Sequence, residues 1–275
     1  MAVDSRHRTD EEAHAYLDSL FLLKNSVALV TGGAGAVGAA VSLALAKCGA
    51  DVVVTDLRAT PEAKALIGRL QDTGSRAMFL ECDVRDRTAV DDVMKEVERK
   101  HGHLEVLVAN AGILGEMQKP HELSEDNWRN IFATNVDGVF HTVRAAYPLL
   151  KQSKHSKVVI TSSIAANYGY GAQAAYCASK GALLPLAKSL ALAWAPDGIN
   201  VNVVLPGASN TPFTKKILNT PEKVQYMKER IPLGRLAEPE DIAGPIVFFS
   251  SRAADYCTGT SLVVDGGGTS RAMAQ

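Results

Sequence analysis

Val27-Ala28-Leu29-Val30-Thr31-Gly32-Gly33-Ala34-Gly35-Ala36-Val37-Gly38 joins a short apolar run to a glycine-rich loop. The run suits a strand buried on both faces, and a helical pattern follows it to Lys47-Cys48-Gly49. Gly33-x-Gly35-x-x-Gly38 fits the dinucleotide fingerprint, which needs a tight turn, close approach to a pyrophosphate and close helix–strand packing. Its position between a strand and a helix is the context that the motif requires. The next apolar run, Asp51 to Thr55, ends at Asp56. An acid at that tip accepts hydrogen bonds from an adenosine ribose and repels a 2′-phosphate, which favours NAD over NADP. Arg58 nearby can tolerate a phosphate and keeps NADP as the lesser alternative.

Working outward, strand and helix patterns alternate. A helix from Pro61 to Gln71 leads to a strand over Arg76 to Glu81, ending in Cys82-Asp83-Val84. A helix over Thr88 to Lys100 precedes the strand Leu104 to Ala109, which gives way to Asn110-Ala111-Gly112. This alternation predicts a parallel sheet covered on both faces, with ligands at the carboxyl ends of the strands. Asp83, Asn110 and Gly112 fall at such ends. Ser124 reads as the N-cap of a long helical region containing Asn135, whose side chain has either a structural or a functional partner. Pro206-Gly207 closes the strand from Asn200, and the polar stretch that follows reads as a lid or substrate loop.

Between these elements, the strand Lys157 to Thr161 delivers Ser162 and Ser163, and a helix carries Tyr176 and Lys180. Tyrosine and lysine four apart share a helix face. A phenol titrates at about 10, and a neighbouring cation draws it toward neutrality. Such a pair can exchange protons with an alcohol or carbonyl, while a serine hydroxyl holds the substrate oxygen. Pro185, inside the same helix, predicts a bend.

Composition narrows the alternatives. The chain has 275 residues, 47% hydrophobic and 21% charged, enough for one core. A net charge of −1 gives no footprint for nucleic acid or an anionic membrane. No apolar run reaches the roughly 18–20 residues of a membrane span, and the polar start at Met1 to Glu12 lacks a signal peptide's apolar core. The expectation is a cytoplasmic protein. Cys48, Cys82, Cys177 and Cys257 are scattered, without zinc or disulfide spacing, so no metal is expected.

Taken together, residues 22–268 resemble the short-chain dehydrogenase/reductase family. The resemblance rests on Thr31 to Gly38, Asp83-Val84, Asn110-Ala111-Gly112, Asn135, Ser163, Tyr176-x-x-x-Lys180, and Pro206-Gly207 with Thr211-Pro212. It implies an α/β fold, a single Rossmann-type doubly wound domain over 23–270 with a seven-stranded parallel sheet. Residues 1–22 would be a helical extension and 208–231 the substrate loop. The implied assembly is a homotetramer or homodimer. The implied cofactor site comprises Gly32, Gly33, Gly35, Val37, Gly38, Asp56, Asp83, Val84, Asn110, Ala111, Gly112, Tyr176, Lys180, Pro206, Gly207, Ser209 and Thr211. Tyr176 would move the proton while hydride passes to or from the nicotinamide. Lys180 would lower the Tyr176 pKa and hold the nicotinamide ribose; Ser163, rather than Ser162, would polarise the substrate oxygen; Asn135 would hold a water that relays protons. Ala36 stands where the family's loop usually has its middle glycine, and Ser209 where an aliphatic residue is common.

The expected function is hydride transfer between NAD and a secondary alcohol or ketone, with a sugar, polyol or cyclic alcohol as substrate. Ser163, Tyr176, Asn167, Tyr168 and Phe213 are the substrate candidates, with Tyr170 and Gln173 beside them. The alternatives are an NADPH-dependent ketoreductase of acyl-carrier or secondary-metabolite type, and a non-catalytic dinucleotide-binding regulator.

Overall fold

A computed structural model describes residues 10–270. The predicted reading of Met1 to Glu12 lies mostly outside them. Seven strands form one parallel sheet in the order β3-β2-β1-β4-β5-β6-β7. They are β1 Val27–Thr31, β2 Asp51–Asp56, β3 Met78–Glu81, β4 Val106–Ala109, β5 Ser156–Thr161, β6 Ile199–Pro206 and β7 Ser261–Val264. Every residue of β1, β4 and β5 is buried, as apolar runs covered on both faces should be. Period-two alternation divides β1 between two cores: Val27 and Leu29 face one, Ala28 and Val30 the other.

The first core is closed by α4 Arg87–His101, by α6 Gly138–Leu150 and by α7 Ala174–Trp194. The second is closed by α2 Ala36–Lys47, α3 Pro61–Gln71 and α10 Pro239–Ser250. The helix starts follow their sequence signals. Thr60 caps α3 with Pro61 in its first turn, and Asp86 caps α4 through two backbone N–H groups. Gly102 ends α4 in the left-handed conformation that glycine favours there. No helix among the described residues is long and apolar enough to cross a membrane.

Several expectations are refined. β3 and β4 begin two residues late; Arg76 turns its backbone N–H to the Asp51 carboxylate at 2.7 Å instead of the ladder. The long helix after Ser124 is α5 Glu125–Phe132, then a π turn over Ala133–Asp137, then α6. α7 continues through Pro185 without a break in the helix. The stretch 208–231 carries two helices, α8 Pro212–Lys215 and α9 Pro221–Arg230. The extension forms α1 Asp10–Phe21, which has no buried residue; behind it, buried Leu23 ties the chain to the Cys48 carbonyl at 2.7 Å.

One charge lies deep in the sheet. Lys157 is only 2% exposed, and its ammonium donates to Asp255 at 2.7 Å and Asn200 at 2.9 Å. Removing one partner of such a pair strands the other charge, at a cost of about 3–5 kcal/mol when both are fully buried. Asp255 is partly exposed, so we expect Asp255→Ala to cost about 3 kcal/mol in urea unfolding. The double variant with Lys157→Met should recover part of that loss. A loss no greater than a surface substitution's would contradict a structural role for the pair.

Candidate active site

The sheet order reverses between β1 and β4, and there the two strand ends diverge into a crevice. Thr31 Oγ1 accepts the backbone N–H groups of Asn110 and Ala111 at 3.0 and 3.1 Å. Asn110 Nδ2 donates in return to the carbonyls of Thr31 and Gly32 at 3.0 and 3.2 Å. The glycine loop is thereby pinned across the crevice. Gly32 has φ +60, and any Cβ on Gly38 would run into the Gly32 carbonyl oxygen. Gly33 plays a different part from its neighbours. It lies outside the cavity lining, where a Cβ would press on the Val30 carbonyl at 2.8 Å and on Val54 at 2.9 Å.

A cavity of about 1120 Å³ opens at the strand ends. Gly32, Gly35, Val37 and Gly38 line it, with Ala36 opening α2 at the same wall. Asp56, Asp83, Val84, Asn110, Ala111, Gly112, Pro206, Gly207, Ser209 and Thr211 line it too. Asp56 accepts from Ala34 N at 3.2 Å and Leu57 N at 2.8 Å, which ties the tip of β2 to the glycine loop. Arg58 is not among the lining residues. Arg85, which the sequence reading passed over, grips Asp83 through Nε and Nη2 and reaches Asn130 through Nη1 at 2.8 Å. The Arg85 guanidinium holds the Asp83 carboxyl below the usual carboxylate range.

At the other end stand Ser163, Tyr176 and Lys180. Tyr176 is 8% exposed, and its phenol shares the cavity with the Ser163 side chain, whose Oγ accepts from Ala165 N at 3.1 Å. Burial pushes the phenol up to about 12, against a smaller opposing pull from the Ser163 hydroxyl. Burial likewise pushes Lys180 down to about 8. The Lys180 ammonium lies 6.0 Å from the Tyr176 ring centroid and donates to the Thr161 carbonyl at 2.9 Å. The expected lowering of the tyrosine by the lysine is thus not what sets the phenol here; burial dominates. The two serines separate cleanly. Ser162 Oγ is buried and donates to the Lys180 carbonyl at 2.9 Å, whereas Ser163 opens onto the cavity.

Asn135 is fully buried in the π turn and outside the lining. Its Oδ1 accepts from Ile113 N at 2.8 Å; its Nδ2 donates to Ile113 O at 2.9 Å and to Ser179 Oγ at 3.0 Å. A second lone pair on Oδ1 is what remains for a water. A Cβ on Gly112 would come 3.2 Å from both Asn135 Oδ1 and Lys180 Nζ, so glycine lets these three elements converge.

The outer wall is built partly from residues without a sequence signal. Phe213 faces Tyr176 with ring centroids 5.9 Å apart. Tyr168 donates to the Thr269 carbonyl at 3.1 Å, while Asp265 accepts from Gly267 N and Thr269 N. The turn after β7 thereby becomes a cavity wall. Asn167 does not line the cavity; Tyr170, Gln173, Met227 and Arg230 do. Asn127, on α5, clasps the backbone of Glu116 through both amide atoms, and Gln118 N donates to Ala172 O at 3.0 Å. That clasp links the loop after β4 to the residues that open α7.

Known proteins match this arrangement. A family model described as enoyl-(acyl carrier protein) reductase covers residues 32–269. The L-rhamnose 1-dehydrogenase (NAD(P)(+)) of a Sphingomonas species is 38% identical over 248 residues, 90% of this chain and 97% of that protein. The chain is a short-chain dehydrogenase/reductase. A cis-4-hydroxycyclohexanecarboxylate dehydrogenase of Sinomonas cyclohexanicum is 37% identical over 244 residues, 88% of this chain and 96% of its own. The crystal structure of a short-chain type dehydrogenase/reductase from Mycobacterium marinum superposes with a TM-score of 0.87 at 30% identity, covering 93% of this chain and 99% of that one. This short-chain dehydrogenase/reductase is an NAD(P)-dependent oxidoreductase acting on CH–OH groups.

The residues present fit a dinucleotide. The glycine loop leaves backbone accessible where a Cβ on Gly38 would close it, and the cavity runs on to the tyrosine. Thr161 Oγ1, at the cavity, is buried without a hydrogen-bond partner, an open polar position of the kind a bound group satisfies. Gly38→Ala should therefore weaken NADH binding by about tenfold or more, because a displaced Gly32 carbonyl disturbs the turn. Fluorescence titration of NADH, with far-UV circular dichroism confirming the fold, checks this; unchanged affinity would remove the loop from the site.

Proposed function

We propose that this short-chain dehydrogenase/reductase oxidises a secondary alcohol on a sugar, polyol or carbon ring, and reduces the matching ketone, with NAD in preference to NADP. The observation that carries the reading is the buried Tyr176 phenol, brought into one cavity with Ser163 and with Lys180, whose ammonium lies 6.0 Å from its ring centroid. The nicotinamide, when bound, accepts or returns the hydride. Ser163 and Tyr176 hold the substrate oxygen between them. In oxidation Tyr176 takes the hydroxyl proton as the carbinol carbon gives up hydride; in reduction its O–H donates to the developing alkoxide. Lys180 keeps a positive charge beneath the phenol and holds the nicotinamide ribose. Asn135, through its remaining acceptor position, holds a water that passes protons onward from Lys180. Gly32, Gly35, Val37 and Gly38 would hold the pyrophosphate, Asp56 would accept from the adenosine ribose, and Asp83 and Val84 would contribute to the same cofactor site.

Asp56 at the cavity, with Arg58 outside its lining, supports NAD. The relatives' names support a hydroxylated or cyclic substrate: one acts on L-rhamnose, another on a hydroxycyclohexanecarboxylate. Residues 23–270 are the proposed catalytic domain, with 208–231 as its substrate loop. A homotetramer or homodimer is the proposed assembly. The exposed edge strand β7, with Leu262 and Val263 in the open and Leu192 82% exposed on α7, supports it.

Tyr176→Phe should abolish turnover and leave NADH affinity within about twofold, since only the proton-moving hydroxyl is lost. Normal turnover would end the assignment. Because burial raises the phenol, ketone reduction should hold across neutral pH and fall in alkali, whereas alcohol oxidation should climb with pH. Lys180→Gln should move the oxidation limb to higher pH by about one unit or more, the shift a nearby cation produces. Steady-state rates from pH 6 to about 10 should show oxidation climbing while reduction stays level, since the phenol titrates above that range. Asp56→Ser should reduce the preference for NADH over NADPH by about tenfold, measured as the ratio of binding constants.

A further inference from the structure

Two cations face the substrate side of the cavity and have no part in the proton chemistry. Lys216 directly follows α8, and Arg230 is the last residue of α9. No hydrogen bond or ion pair holds either among the described residues; the Arg230 guanidinium lies 4.5 Å over the Tyr226 ring. Being unpaired is common among the described cations, as with Lys64 and Lys188; what sets these two apart is that both line the cavity. The acid on this side, Asp265, already accepts Gly267 N at 2.9 Å and Thr269 N at 2.7 Å. Helix C-terminal carbonyls favour a cation at each end, which accounts for the residue type. It does not account for both cations facing one cavity with no acid turned toward them.

We propose that the substrate is a hydroxy acid, or its keto acid, whose carboxylate is held by Arg230 and Lys216 while its carbinol carbon meets Ser163 and Tyr176. This rests on the alcohol-oxidation reading above. Phe213, Ile217 and Met227 line the same part of the cavity and meet the apolar body of the molecule. Arginine presents a planar fork that matches a carboxylate with two parallel bonds, and lysine adds a mobile point charge. A carboxylate fits better than a phosphate dianion. Both cations stand at helix C-terminal ends, whose carbonyls oppose a second negative charge more than a first. The substrate loop is then a recognition device as well as a cover, since both cations belong to it.

Calorimetry on the enzyme–NADH complex separates this from the reaction itself. Cyclohexanecarboxylate and gluconate would be compared with cyclohexanecarboxamide, cyclohexyl phosphate and sorbitol, on the wild type, Arg230→Gln and Lys216→Gln. The acids should bind at least about tenfold more tightly than their neutral counterparts, and each substitution should remove most of that preference. Turnover of 4-hydroxycyclohexanecarboxylate against its carboxamide gives the second readout: the kcat/KM ratio should favour the acid and collapse toward unity in Arg230→Gln. Equal binding of acid and amide, or binding of neither, would overturn the proposal. Tighter binding of the phosphate would replace carboxylate by phosphate. Loss of the preference only through a misfolded variant is recognised by its NADH titration, and Arg230→Lys should then restore part of it in a folded protein. If no alcohol is oxidised while the acids still bind selectively, the proposed reaction fails and the anion site stands.

Discussion

The site depends on one reciprocal clamp. Thr31 and Asn110 hold each other across the point where β1 and β4 part, and every other functional element is placed relative to them. A parallel sheet leaves an opening where its winding reverses, but an opening alone does not aim a loop. Here the Asn110 amide fixes the carbonyls of Thr31 and Gly32, while the N–H groups of Gly33, Ala34 and Gly35 donate to Thr55 O, Asp56 Oδ2 and Gly32 O. The same strand end carries Gly112, whose missing side chain lets Asn135 and Lys180 approach from two helices. Both halves of the cavity are therefore anchored to the end of β4.

Burial does much of the chemical tuning. Tyr176 and Lys180 are both withdrawn from water, and withdrawal moves them in opposite directions, each toward its neutral form. The ammonium has a partner in the Thr161 carbonyl at 2.9 Å, and the phenol shares the cavity with Ser163. The lysine is held in place through backbone, and the tyrosine is left facing the cavity. The positive charge and the acid are near neighbours that do not quench one another.

Much of this was legible in the residues. The fully buried strands are rich in valine, leucine and isoleucine, and the parallel sheet follows from their alternation with helices. Glycine spacing placed the loop, and the Tyr176–Lys180 interval placed the acid. Ser163 was separated from Ser162 by resemblance; in the fold Ser162 Oγ donates to the Lys180 carbonyl and Ser163 lines the cavity. The rest was hidden for definite reasons. Gly33 belongs to the same motif as Gly35, yet it faces Val30 and Val54, and a motif does not say which of its glycines touches a ligand. The inward turn of Arg230 and the wall after β7 arise from chain segments far apart in sequence. The π turn left no periodicity that distinguishes it from an ordinary helix.

That turn has a consequence for how the chain tolerates length changes. A π turn is in effect one surplus residue in a helix. Deleting any one residue from Ala133 to Asp137 would restore the regular pitch, and a single residue is worth about 100° of rotation. α5 would swing around its axis relative to α6, carrying Asn127 away from Glu116 and unfastening the loop that meets the start of α7. A deletion that idealises the helix would thus misplace the wall beside Tyr176. At this point the irregular register is what keeps two distant loops in step, and the more regular helix is the worse enzyme.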